Sequence, residues 1–216
     1  MKKLLIILSF IFLIGCSNKN ASNFKKDYES INGKTNSYGK KYREVTINKK
    51  NPFIEVEASE IVNKIENKET FYVYFGSRLC PWCRSVIEKS IEVSNKNNIK
   101  KIYYVDIWDD DGNEILRDKY KIEDNKLILE KEGTKEYKKL LKYFDKFLRN
   151  YELTNDDKTY DTKEKRIYAP NFMYIKKGKI VKLTTGKSSK QTDPYQKLTK
   201  EMLKEEEKEF NKFFTN

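Results

Sequence analysis

The stretch Tyr72-Val-Tyr-Phe-Gly-Ser-Arg-Leu-Cys80-Pro-Trp-Cys83 joins an apolar run to two closely spaced cysteines. The run from Phe71 to Phe75 predicts a buried strand, which Gly76 and Ser77 end. Pro81 suits the first turn of a following helix, because the N–H that proline lacks would have no partner there, and it keeps the loop compact. The cysteines are therefore expected at the start of a helix, just beyond a strand. This placement favours reversible thiol–disulfide chemistry.

The two cysteines are expected to play different roles. The thiolate is the reactive form of cysteine, and the helix dipole stabilises it at a helix N-terminus. We therefore predict that Cys80 is the attacking nucleophile, with a pKa that Arg78 and Arg84 help to lower. Cys83, one turn further and more buried, should resolve the mixed disulfide. Trp82 has two interpretations of equal weight, an exposed ring that contacts a partner or a ring that packs beneath the loop.

The composition fits one globular domain with appendages, since 38% of the 216 residues are hydrophobic. Lys and Arg number 45 against 33 Asp and Glu, but the two signs are interleaved without a basic stripe, so nucleic acid is not a predicted partner. The chain has no histidine, which excludes histidine-based triads and histidine metal ligands. A structural zinc site normally needs four ligands, so one Cys-x-x-Cys pair predicts neither a metal nor another cofactor. The run Asp109-Asp-Asp-Gly112 lacks the spaced ligands of a calcium loop and predicts a solvated turn.

Residues 1–15 have the features of a secretory signal peptide. Lys2 and Lys3 precede an apolar run, residues 4–14, that is too short for an ordinary membrane span. The sequence Leu13-Ile-Gly-Cys16 resembles the lipobox of bacterial lipoproteins, and the resemblance implies cleavage before Cys16 and lipidation of that cysteine. The mature chain would then be anchored at the extracytoplasmic face of a bacterial cell membrane, where disulfides can persist.

Lipidation of Cys16 would leave Cys80 and Cys83 as the free thiols of the mature chain, able to form a single disulfide. Residues 16–51 are rich in Asn, Ser, Lys and Gly, and they predict a lipidated N-terminus followed by a flexible tether. Within the tether, residues 42–47 predict a short strand. The folded domain is expected over residues 52–216.

The apolar pattern of this domain predicts alternating strands and helices. Strands are expected at 52–56, 71–75, 101–107, 170–175 and 179–183, and helices at 58–67, 81–96, 113–120 and 134–148, with a last helix starting at Asp193-Pro194. Residues 150–164 predict a polar loop or short hairpin, and Lys176-Lys-Gly178 predicts a hairpin turn. The β-α-β-α-β order at the start favours an α/β sheet with helices on both sides.

This order resembles the thioredoxin superfamily. Cys80-Pro-Trp-Cys83 matches the active-site motif that follows a strand, Ala169-Pro170 matches the cis-proline pair before the penultimate strand, and the last hairpin and helix match the closing ββα unit. The resemblance implies a thioredoxin fold, a central mixed sheet with flanking helices, carrying a helical insertion at about 108–168. It also implies that Cys80–Cys83 is a redox disulfide and that Pro170 is cis and lies against it, whereas a trans proline opening an edge strand is the alternative.

The sequence is also similar to the thioredoxin-like bacteriocin transport accessory proteins of Gram-positive bacteria. One position departs from thioredoxins, which carry a buried acid six positions before the first cysteine where this chain has Tyr74. The direction of electron flow is therefore left open. The expected function is a membrane-tethered oxidoreductase that exchanges disulfides with exported proteins, a role compatible with a membrane redox partner. The alternative is a non-catalytic accessory or binding protein for export or immunity.

Overall fold

The computed structural model describes residues 20–215, which fold around a five-stranded sheet with the strand order β1-β3-β2-β8-β9. The strands, in chain order, are β1 (Phe53–Glu55), β2 (Phe71–Gly76), β3 (Ile102–Asp106), β4 (Lys119–Glu123), β5 (Lys126–Lys131), β6 (Arg149–Asn155), β7 (Lys158–Arg166), β8 (Asn171–Lys176) and β9 (Lys179–Thr184). The central strand β2 is parallel to β3 and antiparallel to β8. The predicted α/β architecture with a mixed central sheet is confirmed.

Helices cover both faces of this sheet. They are α1 (20–29), α2 (Ala58–Glu66), α3 (Pro81–Lys96), α4 (Lys135–Phe144) and α5 (Lys200–Phe214). Side chains alternate along β2, so that Val73 and Phe75 pack with α2 and α4, whereas Tyr74 packs with α1, α3 and α5. We call the first side the aliphatic face and the second, which includes Cys80 and Cys83, the dithiol face.

Residues 20–51 differ from the predicted flexible tether, because they pack against the dithiol face. α1 places Phe24 and Tyr28 in the core, where the Phe24 ring stacks on Phe53 with 4.4 Å between centroids. Residues 42–47 form no strand, although two of their side chains, Val45 and Ile47, are buried. One apolar stripe is enough to bury a helix against a core, even when most of its residues are polar.

The predicted signal peptide and the lipidation of Cys16 lie outside the described residues. Among residues 20–215, no helix is both long enough and apolar enough to span a membrane.

The segment between β3 and β8, predicted as a helical insertion, consists mainly of two antiparallel hairpins, β4–β5 and β6–β7. The hairpin β6–β7 confirms one of the two alternatives predicted for residues 150–164, whereas β4–β5 was not predicted. The helix predicted at 113–120 is wrong, since this stretch forms turns and an isolated bridge before β4 begins at Lys119. Both hairpin turns, Asp124-Asn125 and Asp156-Asp157, have positive φ at both residues, which matches the twist of the flanking strands. The helix predicted at 134–148 is confirmed as α4 followed by a 3-10 turn at Asp145–Phe147.

The hairpin β8–β9 and helix α5 end the fold. Gly178 occupies the predicted turn, where its φ is positive and an added Cβ would lie 2.5 Å from the Ile65 carbonyl oxygen. Helix α5 begins at Lys200 rather than at the predicted Asp193-Pro194, because the Thr199 hydroxyl accepts the Met202 N–H and caps the helix there.

Candidate active site

The two cysteines lie at the start of α3, directly after the central strand β2. Cys80 is the N-cap residue, and its sulfur accepts the backbone N–H of Cys83 at 3.3 Å. Pro81 occupies the first helical position, as predicted. Cys83 is fully buried and Cys80 is 5% exposed, which confirms the expected order of burial. Of the two cysteines, Cys80 therefore keeps the larger exposed fraction.

The surroundings of the two sulfurs separate their pKa values. Burial raises the pKa of Cys80, but hydrogen bonds from Cys83 and the charge of Arg117 outweigh it, so the pKa lies below the ordinary value. Burial raises the pKa of Cys83, the nearby Cys80 adds to this, and the pKa lies well above the ordinary value. The Cys80 thiol is thus the more acidic of the two, which is the order that the predicted roles of attack and resolution require.

The Ala169–Pro170 peptide bond is cis and lies beside Cys80. The Cys80 thiol donates to the Ala169 carbonyl oxygen at 3.7 Å. The expected cis state of Pro170 and its place against the dithiol are confirmed, and the trans alternative is wrong. The Ala169 carbonyl is therefore held next to the Cys80 sulfur.

Tyr74 lies beneath the dithiol on the central strand. Its ring is fully buried and stacked, with its centroid 4.3 Å from that of Phe172 and 5.4 Å from that of Tyr104. The Tyr74 hydroxyl lowers the pKa of Cys83, against the larger effect of burial. The same hydroxyl lies 2.9 Å from the Tyr28 hydroxyl. Two buried phenols therefore lie in the core of the dithiol face.

Arg117 supplies positive charge to Cys80, although the sequence did not single it out. Its guanidinium is buried and contacts the Glu114 carboxylate at 2.9 and 2.6 Å. It also donates to the Ile167 carbonyl oxygen at 3.0 Å, and Arg166 contacts the same Glu114 carboxylate at 3.1 Å. This network fixes the Arg117 charge against the segment that leads to the cis peptide bond.

Arg78 and Arg84, which were expected to lower the Cys80 pKa, have other partners. Arg78 pairs with the exposed Asp110 at 2.8 Å. The fully buried Arg84 guanidinium donates to three oxygens of the N-terminal segment: Arg43 O at 2.7 Å, Tyr28 O at 2.8 Å and Asn32 Oδ1 at 2.6 Å. Arg84 therefore fastens residues 28–43 to α3.

The Trp82 ring is neither fully exposed nor fully packed beneath the loop. It is half-buried and packs against the core of the dithiol face. The Lys187 ammonium lies 4.1 Å from the ring centroid, a cation–π contact. The ring is thus anchored beside the site while part of it stays accessible.

Sequence reasoning missed Tyr28 as well as Arg117. A signal for Tyr28 was present, because Ala21, Phe24, Tyr28 and Ile31 recur at helical spacing. Arg117 gave no such signal, since its position depends on the hairpins that surround it.

Within residues 20–215, no three or more Cys, Asp or Glu side chains are grouped so that they could hold a metal ion. In comparisons with known proteins, no family model matches the chain and no curated protein matches it significantly.

Proposed function

We propose that this protein is a thiol–disulfide oxidoreductase of thioredoxin fold, tethered by a lipid on Cys16 to the extracytoplasmic face of a bacterial membrane. The main support is the contrast between Cys80, a nearly buried helix N-cap with a lowered pKa, and Cys83, a fully buried sulfur with a raised pKa. The sheet order β1-β3-β2-β8-β9, with the dithiol after the central strand, supports the fold. The anchor rests on the sequence around Cys16.

In the proposed reaction, the Cys80 thiolate attacks one sulfur of a substrate disulfide. The S–S bond of the substrate breaks, one substrate thiolate leaves, and a mixed disulfide forms. Cys83 then loses its proton and attacks the Cys80 sulfur, which releases the second substrate thiolate. The substrate gains the electron pair that the dithiol gives up, and its thiolates take up protons. The reverse sequence would form a substrate disulfide, so the same site serves either direction.

The proposed substrates are exported proteins with accessible cysteines. The Ala169 carbonyl beside Cys80 supports backbone pairing with an extended segment of such a partner. A membrane redox partner would restore the starting state of the dithiol.

The test compares two single substitutions in the full chain. Cys80→Ser should abolish exchange with a peptide disulfide, because the attacking sulfur is lost. Cys83→Ser should keep the first attack and accumulate the mixed disulfide, which mass spectrometry under non-reducing conditions detects. Exchange that persists in Cys80→Ser would overturn the proposal. Full function of a Cys80→Ser/Cys83→Ser double variant in a deletion strain would instead favour the accessory or binding role.

A further inference from the structure

The outer edge of β9 is the longer free edge of the central sheet. β9 has six residues and lies last in the strand order, and within residues 20–215 no further strand pairs with its outer side. The strand at the opposite edge, β1, has only three residues. A short strand offers little template for pairing, whereas the edge of β9 presents unpaired N–H and C=O groups over about 20 Å. β9 is therefore the edge that another extended chain can pair with.

A groove of about 800 Å³ runs along this edge. One wall is the turn at Lys146 and Phe147 that follows α4, the other wall is the end of α5, and residues 181–184 of β9 lie between them. Two large apolar side chains, Phe147 and Val181, stay 43% and 45% exposed there. Apolar side chains beside unpaired backbone groups fit an extended segment, which pairs through its main chain and inserts alternate side chains.

A second cavity, of about 470 Å³, continues the groove towards the dithiol. It shares two lining residues with the first cavity and extends to Tyr168 and Asn171. These two residues flank the cis peptide bond Ala169–Pro170, and the Ala169 carbonyl oxygen lies 3.7 Å from the Cys80 sulfur. A segment that follows β9 in this direction therefore arrives beside Cys80.

The charge along the groove is mainly positive. Five cations line the two cavities: Lys146, Arg149, Arg166, Lys182 and Lys212. Lys182 donates to backbone carbonyls at the end of α5, and Arg166 contacts Glu114. The other three are exposed and form no salt bridge within residues 20–215. Since the lining has only two carboxylates of its own, the groove is complementary to an acidic segment.

The same charge argues against three other occupants. A second copy of this edge would bring like charges together, and lysines on an edge strand are a known device against such pairing. Residues 1–19 of this chain contain three lysines and no Asp or Glu, so they do not complement the groove either. An anionic membrane would match the charge but not the concave shape. The combined features favour a segment of another protein.

We propose that the β9 groove, which is the outer edge of β9 with the two cavities beside it, docks an extended acidic segment of a partner protein by strand addition. The identification of this partner as the substrate whose disulfide Cys80 attacks rests on the proposed function. Backbone hydrogen bonds to β9 supply affinity, and alternate side chains of the segment contact Phe147 and Val181. Carboxylates of the segment pair with the three free cations. The groove thus selects substrates by an acidic stretch close to their cysteine.

Binding of cysteine-free peptides tests the docking without any exchange chemistry. The probes are fluorescent peptides of alternating Val and Glu, or of alternating Val and Lys, each about the length of β9. The full-length wild type should bind the Val-Glu peptide about 10-fold more tightly than the Val-Lys peptide at low salt, and the difference should shrink in about 0.5 M NaCl. Lys146→Glu/Lys212→Glu should reverse the preference. A reversed preference also shows that this variant is folded.

Lys126→Glu/Lys158→Glu is the matched control, because it makes the same change in net charge at two exposed lysines of β5 and β7, outside both cavities. Its peptide preference should equal that of the wild type. A wild type without preference for the Val-Glu peptide, or a control that loses the preference as fully as Lys146→Glu/Lys212→Glu, would overturn the docking.

Other occupants of the groove would give different results in place of peptide binding. A dimer that Lys146→Glu/Lys212→Glu disrupts would assign the groove to a second copy. A lysine cross-link between Lys19 and Lys212 of one chain would assign it to residues 1–19, and binding to phosphatidylglycerol vesicles would assign it to a membrane. Each of these three results would overturn the proposal.

Peptide disulfides separate this proposal from the proposed function. A peptide disulfide that carries the Val-Glu stretch should form the mixed disulfide with Cys80 about 10-fold faster, at limiting concentration, than one that carries the Val-Lys stretch. Exchange at equal rates would overturn the role of the groove in substrate selection. Selective binding of the Val-Glu peptide without exchange of either disulfide would leave the docking in place and overturn the proposed function.

Discussion

On the aliphatic face of the central sheet, α2 and α4 cover the strands mainly with hydrocarbon, and Tyr137 is the buried phenol that α4 adds. The buried side chains there include Ile61, Val62, Ile65, Leu140 and Phe144, set against Val73 and Phe75. On the dithiol face, the same sheet buries three phenols, two thiols and a guanidinium: Tyr28, Tyr74, Tyr104, Cys80, Cys83 and Arg84. The same strands therefore separate a hydrocarbon core from a polar one.

The contrast between the two faces shows how a buried core can hold polar and reactive groups. Burying a polar group is unfavourable unless it finds a hydrogen-bond partner, and burying hydrocarbon is favourable without any. Tyr74 is partnered by Tyr28, and Arg84 by carbonyl oxygens of the N-terminal segment. We therefore expect both faces to contribute to stability, and only the dithiol face to set the reactivity of the sulfurs.

Removal of one buried ring from each face tests whether the two faces differ in this way. Phe144→Ala and Phe172→Ala each empty a site that is at most 1% exposed, so each should lower the free energy of unfolding by about 3–5 kcal/mol. Only Phe172 stacks on Tyr74, so only Phe172→Ala should also change the pH dependence of alkylation at Cys83. Denaturant melts and pH-resolved alkylation measure the two effects. A changed pH dependence of Cys83 alkylation in Phe144→Ala would contradict the different roles expected for the two faces.

A smaller effect is expected from Arg84→Lys on the dithiol face. Lysine keeps the charge, but its compact ammonium cannot reach all three oxygens that the planar Arg84 guanidinium contacts. We expect a loss of about 2–3 kcal/mol, since hydrogen bonds to charged groups are the strong ones. Hydrogen exchange should increase mainly in residues 20–47.

Arg149→Lys is the control for this substitution, because Arg149 is exposed and the exchange should leave stability within about 0.5 kcal/mol. Uniform loss of protection along the whole chain in Arg84→Lys, with no excess in residues 20–47, would argue against a fastening role.

The parts of this molecule that sequence could predict are those with strong local patterns. Local physical causes made three features predictable. They are the apolar run of β2, the proline at the start of α3 and the Gly178 turn. The cis state of Pro170 was expected from resemblance alone. The local sequence predicts that Arg84 is a positive charge near the Cys80 sulfur. Its hydrogen bonds to residues 28–43 depend instead on tertiary packing, which a local pattern does not encode.

The parts that sequence reasoning missed follow from competing signals. The polar composition of residues 16–51 predicted a tether and hid the stripe that includes Phe24 and Tyr28. In the insertion, Asp124-Asn125 provides a hairpin turn without glycine, so β4 and β5 were not foreseen. Spacing also suggests an apolar residue on α5 between Met202 and Phe210, where the chain instead has Glu206.

Glu206 gives an expected effect on stability that appears only as the pH rises. The side chain is fully buried between α5 and the charges of Arg43 and Lys89, and neither carboxylate oxygen has a hydrogen-bond partner. Burial raises the pKa of Glu206 to about 8, although both cations lower it. The folded protein therefore keeps a proton that the unfolded chain releases, so stability falls as pH rises from the ordinary glutamate range through 8.

Glu206→Gln removes this ionisation and should stabilise the protein at pH 8 by several kcal/mol, because each unit by which burial raises the pKa corresponds to about 1.4 kcal/mol. At pH 4 the gain should vanish, because Glu206 is protonated in the folded state and largely so in the unfolded chain. Glu209→Gln, a partly exposed position on the same helix, should produce no such pH-dependent gain. Thermal melts of both variants between pH 4 and pH 8 measure the difference. A loss of stability in Glu206→Gln at pH 8 would mean that the attraction of Arg43 and Lys89 exceeds the desolvation cost of the carboxylate. The dithiol face would then tolerate a buried charge as readily as a buried phenol.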